Sequence, residues 1–205
     1  MTVNDSPILA LHLGPRRDDS SSWLMLERFQ KGVLAGGGQI KVLSVADHVI
    51  EGCRGCGVCY QTGLCVIEDD MTVFYEAVEA ASRIVVVTPV YFYGPPALGK
   101  AMIDRLQVFW SRIYKLGERR TFEAPPQGFV MAVGATKGQD LFTPIKLCAK
   151  YMFDSIGFPR KFPFKGYRRV ETPKDWSPEW LAEVEGYGRD FAKGTLSQSL
   201  GLDEG

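Results

Sequence analysis

Pro7-Ile8-Leu9-Ala10-Leu11-His12-Leu13 is an unbroken, mostly apolar run that stops at Gly14, and the chain becomes regular again at Ser20-Ser21-Ser22. A run of this length reads as a strand buried on both faces. From Ser20 to Leu34, apolar residues at Leu24, Leu26, Phe29 and Val33 follow helical spacing, with serines available as N-cap. A buried strand passing through a short loop into an amphipathic helix is the opening half of a βαβ unit. The same alternation continues outward. Gln39 to Val45 reads as a strand, and Met71 to Ser82 as a helix whose preceding Glu68-Asp69-Asp70 complements the positive end of its dipole. Arg83 to Val87 is a second fully buried strand, broken at Thr88-Pro89. Ala97 to Lys115 is predicted as one long helix after Pro95-Pro96, Gly128 to Val133 as strand four, and Thr143 to Ile156 as a helix stopped by Gly157. Phe158 to Phe164 is assigned the fifth strand, and Pro159 and Pro163 suggest an edge position or a short strand. Ser177-Pro178 opens a last helix to Lys193.

Strict β-α alternation implies an α/β fold with a parallel sheet, helices on both faces and right-handed crossovers. Five such strands in 205 residues fit a flavodoxin-like three-layer sandwich of order 2-1-3-4-5. The expectation is a single domain over residues 1–205, since no second core, repeat or low-complexity stretch is visible. The polar tail from Gly194 to Gly205 reads as frayed.

Composition sets outer limits. Hydrophobic residues make up 45% and charged residues 23%, the balance of a soluble globular protein. Lys plus Arg (24) equals Asp plus Glu (24), so no global charge favours nucleic acid or an anionic membrane surface. No apolar run approaches the ~20 residues of a membrane span. Met1 to Pro7 lacks the basic and apolar regions of a secretory signal, so a cytoplasmic location is expected. Of five cysteines, four (Cys53, Cys56, Cys59, Cys65) fall within 13 residues. Without an export signal, a disulfide scaffold is a poor explanation, and a local group of reduced thiols points to a metal centre. Cys148, alone on a predicted helix, reads as a small buried apolar residue.

In an open parallel sheet, ligands bind beyond the carboxyl ends of the strands where strand order reverses, here between strands one and three. Three loops meet there. Gly14 to Ser22 leads into a helix N-terminus, where backbone N–H groups, serine hydroxyls and the helix dipole can hold a phosphate, with Arg16 adding charge. Thr88 to Pro96 carries Tyr91, Phe92 and Tyr93, a wall for a planar ring or a contact with a second subunit. Gly134 to Asp140 is small and glycine-flanked, so its backbone can approach a flat ligand. Gly-x-Gly-x-x-Gly and Walker patterns are absent. His12, inside the first strand, reads as a satisfied core histidine and His48 as a surface residue. Lys100 and Asp104, at i,i+4 with Arg105 alongside, read as a structural ion pair.

With these landmarks the chain resembles the NAD(P)H-dependent FMN reductase and iron–sulfur flavoprotein group of the flavodoxin-like superfamily, from Pro7 to about Phe158. The matching residues are Gly14-Pro15-Arg16-Arg17 with the following serines, Cys53-x-x-Cys56-x-x-Cys59-x5-Cys65, Glu68-Asp69-Asp70-Met71, Thr88-Pro89-Val90-Tyr91-Phe92 and Lys100-x-x-x-Asp104-Arg105. The resemblance implies FMN, with Arg16, Ser20, Ser21 and Ser22 at its phosphate. It places Pro89, Val90, Tyr91, Phe92, Tyr93 and Gly94 at the ring, together with Gly134, Ala135, Thr136, Lys137 and Gly138. One departure stands out: the group often opens the first loop Ser-Pro-Arg, and here Gly14 replaces the serine, which removes a hydroxyl contact. The compact cysteine motif resembles the one that ligates a 4Fe–4S cluster in iron–sulfur flavoproteins. Three cysteines at spacing three around Gly52, Gly55 and Gly57 can converge on one face of a cube, and Cys65 can close it. A four-thiolate zinc site is the rival, and an unfilled motif is a third reading.

The expected function is an FMN-dependent oxidoreductase that takes electrons from NAD(P)H to a flavin, quinone or protein acceptor such as a ferredoxin-like partner, with the cluster as relay. No acid–base catalyst is named, because the flavin carries the chemistry. A non-enzymatic electron carrier and a zinc-stabilised interaction module are the competing classes. The Tyr91-Phe92-Tyr93 wall and an aromatic helix face at Phe109, Trp110 and Tyr114 predict a homodimer or homotetramer. Because the cysteines follow strand two, cluster and flavin are expected to share one end of the molecule or to meet across a subunit contact.

Overall fold

A computed structural model describes residues 7–198 and 200. Residues 1–6, in which no signal was read, and residues 199 and 201–205 of the tail lie outside the described residues. Five parallel strands, β1 (Ile8–His12), β2 (Ile40–Ser44), β3 (Arg83–Pro89), β4 (Gln127–Gly134) and β5 (Phe164–Arg168), form one sheet in the order β2-β1-β3-β4-β5. The register places Leu11 between Leu43 and Val86, and Val87 opposite Met131, so apolar side chains stack across the sheet. This is the expected flavodoxin-like sandwich.

Side chains alternate between two cores. Leu9, Leu11, Ile84, Val86 and Val130 face one layer, which contains α3 (Met71–Ala80), α4 (Ala97–Arg105), α5 (Gln107–Tyr114) and α6 (Thr143–Ser155). Ile8, Ala10, Val85, Val87 and Met131 face the other, formed by α1 (Ser21–Ala35) and α7 (Pro178–Lys193). Those last two helices cross closely: a Cβ on Gly32 would lie 2.0 Å from the Glu185 carbonyl oxygen, and one on Gly188 would lie 2.1 Å from that of Phe29. Only glycine fits at either position.

Several boundaries depart from the expectation, each for a physical reason. The fifth strand runs over Phe164–Arg168, not Phe158 to Phe164. Phe158 and Phe162 are buried in the first core, and two prolines without N–H groups cannot donate to a ladder, so the segment packs as a loop instead. β5 does occupy the edge. The predicted long helix is broken at Leu106, where Leu106 N–H bonds the Ile103 carbonyl and Phe109 N–H the Leu106 carbonyl in tight i→i+3 turns. That break frees the Arg105 carbonyl to accept from the Tyr75 hydroxyl at 3.2 Å. Phe109 turns into the core, leaving Trp110 and Tyr114 as the outer part of the proposed aromatic face. Asp70 is the N-cap of α3 but its side chain does not cap. Its carboxylate accepts the Val49 N–H instead, and Asp69 takes the Met71 N–H at 3.1 Å. In the tail, Leu196 and Leu200 pack on the second core and the Leu200 carbonyl accepts the Phe164 N–H. His48 is not a free surface residue, since it is half-buried edge-on against Phe74 at 5.1 Å. Cys148 is half-buried rather than part of the core. Among the described residues, no helix is long and apolar enough to cross a membrane.

Candidate functional site

The loop after β1 delivers the chain to Ser20, which caps α1 by accepting the Trp23 N–H at 3.3 Å. All three serines are buried, Ser22 to 1% exposure. Ser22 Oγ lies 2.9 Å from His12 Nε2 and 3.1 Å from Ser20 Oγ. Ser21 Oγ is buried with no partner among the described residues. An orphaned hydroxyl costs about 1–3 kcal/mol unless something accepts from it, and a helix N-terminus favours an anion in that place. The neighbouring arginines divide their work. Arg17 pairs with Asp47 and lies 4.5 Å over the Trp23 ring, whereas Arg16 is exposed without an ion-pair partner among the described residues.

These groups open into a cavity of about 280 Å³ at the carboxyl ends of β1, β3 and β4. It brings together Arg16, Ser20, Ser21, Ser22, Pro89, Val90, Tyr91, Gly134 and Ala135, all expected from sequence. Pro15, Val133, Val170 and Glu171 also line it and were not among the expected site residues. Val170 and Glu171 follow β5, and the displaced strand assignment hid the loop that carries them. Phe92, Tyr93, Gly94, Thr136, Lys137 and Gly138 do not line the cavity. They belong to the two loops that flank it.

The second loop is a two-residue hairpin, with Tyr91 and Gly94 exchanging both backbone hydrogen bonds at 2.9 Å. Its central residues, Phe92 (φ 47°) and Tyr93 (φ 65°), both sit in the left-handed region that glycine or asparagine usually fills. Such strain of about 1–3 kcal/mol per residue gathers at functional sites. Here it holds Phe92 fully exposed and brings the Tyr93 hydroxyl onto Gly138, where a Cβ would lie 2.3 Å away.

The four clustered cysteines line a second cavity of about 290 Å³. Cys53 and Cys56 are exposed and Cys59 and Cys65 half-buried, all as free thiols. The expected convergence is not seen: among the described residues, no three His, Cys, Asp or Glu side chains are placed to hold a metal ion. Gly55 (φ 65°) and Gly57 (φ 75°) bend the chain near Cys53 and Cys56. Cys59 instead opens the short helix α2 (Cys59–Thr62), where the buried Ser111 hydroxyl lies 3.3 Å from its sulfur. The thiols therefore share a cavity without sharing a centre. Their chemistry, four soft sulfur donors around one open space, still fits an iron–sulfur cluster.

Arg105 organises the base of this loop, a role invisible in sequence. It is 1% exposed and places all five N–H donors. Nη1 bonds the Glu51 carbonyl (3.0 Å) and Asp69 Oδ2 (2.7 Å), Nη2 bonds the Ile67 carbonyl (3.3 Å) and Asp69 Oδ1 (3.0 Å), and Nε bonds Tyr75 (3.3 Å). Asp69 also accepts the Glu51 N–H at 2.8 Å. Both ends of the cysteine loop are thus tied to one bidentate pair. Burial pushes the Asp69 carboxyl up, but the Arg105 fork and two backbone N–H groups outweigh it and hold the group below the usual carboxylate range. Lys100 and Asp104 pair at 2.5 Å as expected, on the exposed side of α4.

The family described as NADPH-dependent FMN reductase matches residues 7–142. An iron-sulfur flavoprotein of Methanosarcina thermophila is 41% identical over 61 residues, covering 30% of this chain and 32% of that protein. One from Methanocaldococcus jannaschii is 28% identical over 133 residues, 65% of each. The chain thus spans about a third to two thirds of the length of these relatives. Among solved structures, an FMN-dependent NADH-azoreductase from Bacillus anthracis in complex with FMN superposes with TM-score 0.64 at 16% identity, over 92% of this chain and 98% of that one. An NAD(P)H:quinone oxidoreductase from Methanothermobacter marburgensis gives TM-score 0.60 at 16% identity, over 91% and 96%.

Proposed function

The chain belongs to the NADPH-dependent FMN reductase family, and from that premise we propose that it is an FMN-dependent oxidoreductase, reduced by NAD(P)H and oxidised by a flavin, quinone or protein acceptor. The observation that carries this reading is the cavity at the carboxyl ends of β1, β3 and β4, with the orphaned Ser21 hydroxyl at the head of α1. Ser20, Ser21, Ser22 and Arg16 would hold the phosphate, where hydroxyl donors, a guanidinium and the helix dipole all favour an anion. Pro89, Val90 and Tyr91 on one side and Gly134 and Ala135 on the other would flank the ring, their apolar surfaces excluding water from it. Bound FMN supplies hydride and one-electron chemistry. The protein's part is to orient the ring and leave one face open to donor and acceptor.

The four thiols of the second cavity would hold an iron–sulfur cluster, a reading supported by their shared space and by the iron-sulfur flavoproteins to which the chain is similar. A cluster supplies one-electron transfer and fits a ferredoxin-like protein partner in the cytoplasm. The exposed hairpin aromatics and the Trp110–Tyr114 face support a homodimer or larger assembly.

Anaerobic addition of NADPH, then NADH, to the FMN-loaded protein tests the activity. The expected result is loss of the oxidised flavin absorbance with at least one nucleotide, and its return on adding a quinone or free flavin. Bound FMN that neither nucleotide reduces would leave an electron carrier in place of an enzyme.

A further inference from the structure

His12 ends β1 wholly buried, with Nδ1 2.9 Å from Ser44 Oγ and Nε2 2.9 Å from Ser22 Oγ. Which nitrogen carries the proton follows from Ser44. That hydroxyl is also wholly buried, and it accepts the Ala46 N–H at 3.3 Å. Among the described residues, the one acceptor within reach of its own proton is His12 Nδ1. A neutral imidazole has one accepting and one donating nitrogen, so with Nδ1 accepting, Nε2 carries the hydrogen. Burial, helped by the positive charge of Arg17, brings the His12 pKa down to about 4, so the ring is neutral at physiological pH. Edge-on contact with Trp23 at 5.2 Å holds it in place.

Nε2–H then donates to Ser22 Oγ, so the Ser22 proton points away from His12, to Ser20 Oγ at 3.1 Å or to an acceptor in the cavity. Ser22 and its neighbour Ser20 both line the cavity, and Ser20 Oγ already accepts the Trp23 N–H. One of these hydroxyls can donate to the other across 3.1 Å, and a bound anion is the natural acceptor for a proton that is then left over or drawn away from that contact.

Gly14 belongs to the same arrangement. A Cβ there would lie 2.7 Å from His12 Cε1 and Nε2 and 3.0 Å from Ser22 Oγ. The glycine is required for space rather than for an unusual backbone conformation. Any side chain at position 14 would have to displace the imidazole or the Ser22 hydroxyl.

We propose that His12 is a positioning residue of the phosphate site: as the Nε2–H tautomer it orients Ser22 so that the serine donates into the cavity, and Gly14 makes room for it. The proposal rests on the reading that FMN binds with its phosphate at this loop.

FMN and riboflavin differ only by the phosphate, so the ratio of their affinities isolates this site. His12→Asn keeps an amide near the Nδ1 position, next to Ser44, and loses reach to Ser22, while His12→Gln extends an amide toward Ser22. Wild type is expected to bind FMN more tightly than riboflavin. His12→Asn should reduce that preference by about tenfold, the worth of one hydrogen bond to a charged group, with riboflavin affinity unchanged, and His12→Gln should restore most of it. Ser22→Ala should lose the same amount, and adding His12→Asn to it should cost nothing more. An unchanged FMN preference in His12→Asn overturns the proposal. So does an equal fall for both ligands in the Asn and Gln variants, the mark of a packing role. A wild type with no preference for FMN overturns the phosphate-site reading itself.

Discussion

Ser21 and Ser22, adjacent in the chain, have opposite surroundings: one hydroxyl is buried without a partner, the other is held between His12 and Ser20. The serine run was legible in sequence as the N-cap of α1, and holding an anion there is the role proposed for it. His12 was legible as a satisfied core residue, but not as part of that site, because its link to Ser22 depends on the ring reaching past Gly14. Gly14, read as the loss of a hydroxyl contact, also leaves the space that the buried imidazole occupies. The depressed His12 pKa has a consequence for stability. Folded and unfolded chains bind this proton equally little above pH 6.5. Below it, the unfolded chain takes up the proton and the folded chain refuses it down to about pH 4. Relative to His12→Gln, wild type should therefore lose about 3 kcal/mol of stability between pH 6.5 and pH 4. Urea unfolding of both proteins across that range checks this, and parallel pH profiles would show that His12 titrates normally in the fold.

At the scale of elements, strand and helix order was readable because buried strands and amphipathic helices alternate with clear breaks. What escaped were features decided by distant partners. β5 starts at Phe164 because the core takes Phe158 and Phe162 into a loop, and that shift concealed Val170 and Glu171 at the cavity. The pair Lys100–Asp104 was visible as an i,i+4 spacing. The buried pair Arg105–Asp69 was not, since 36 residues separate its members. That buried pair closes the neck of the cysteine loop and holds both its ends. Anaerobic reconstitution with iron and sulfide should accordingly load wild type with more iron and acid-labile sulfide than Cys59→Ala. Equal contents in the two proteins would remove the cluster from the account.

Across the whole molecule, the two cavities share no lining residue, yet the loops behind them are joined. His12 bonds Ser44 and Arg17 pairs with Asp47, so the loop after β1 is fastened to the segment that leads from β2 into the cysteines. That connection follows from sheet order, because β1 and β2 are neighbours, and to that extent it was foreseeable. The proposed FMN site lies at the carboxyl ends of β1, β3 and β4, with the phosphate on α1. Fluorescence titration of FMN into wild type and into the protein carrying Arg16→Ala with Ser21→Ala tests it most directly. One FMN per chain is expected, bound about tenfold or more weakly by the double variant, since each tenfold corresponds to about 1.4 kcal/mol of lost contact with a charged phosphate. Equal affinity in the two proteins would contradict it and move the phosphate to another part of the molecule.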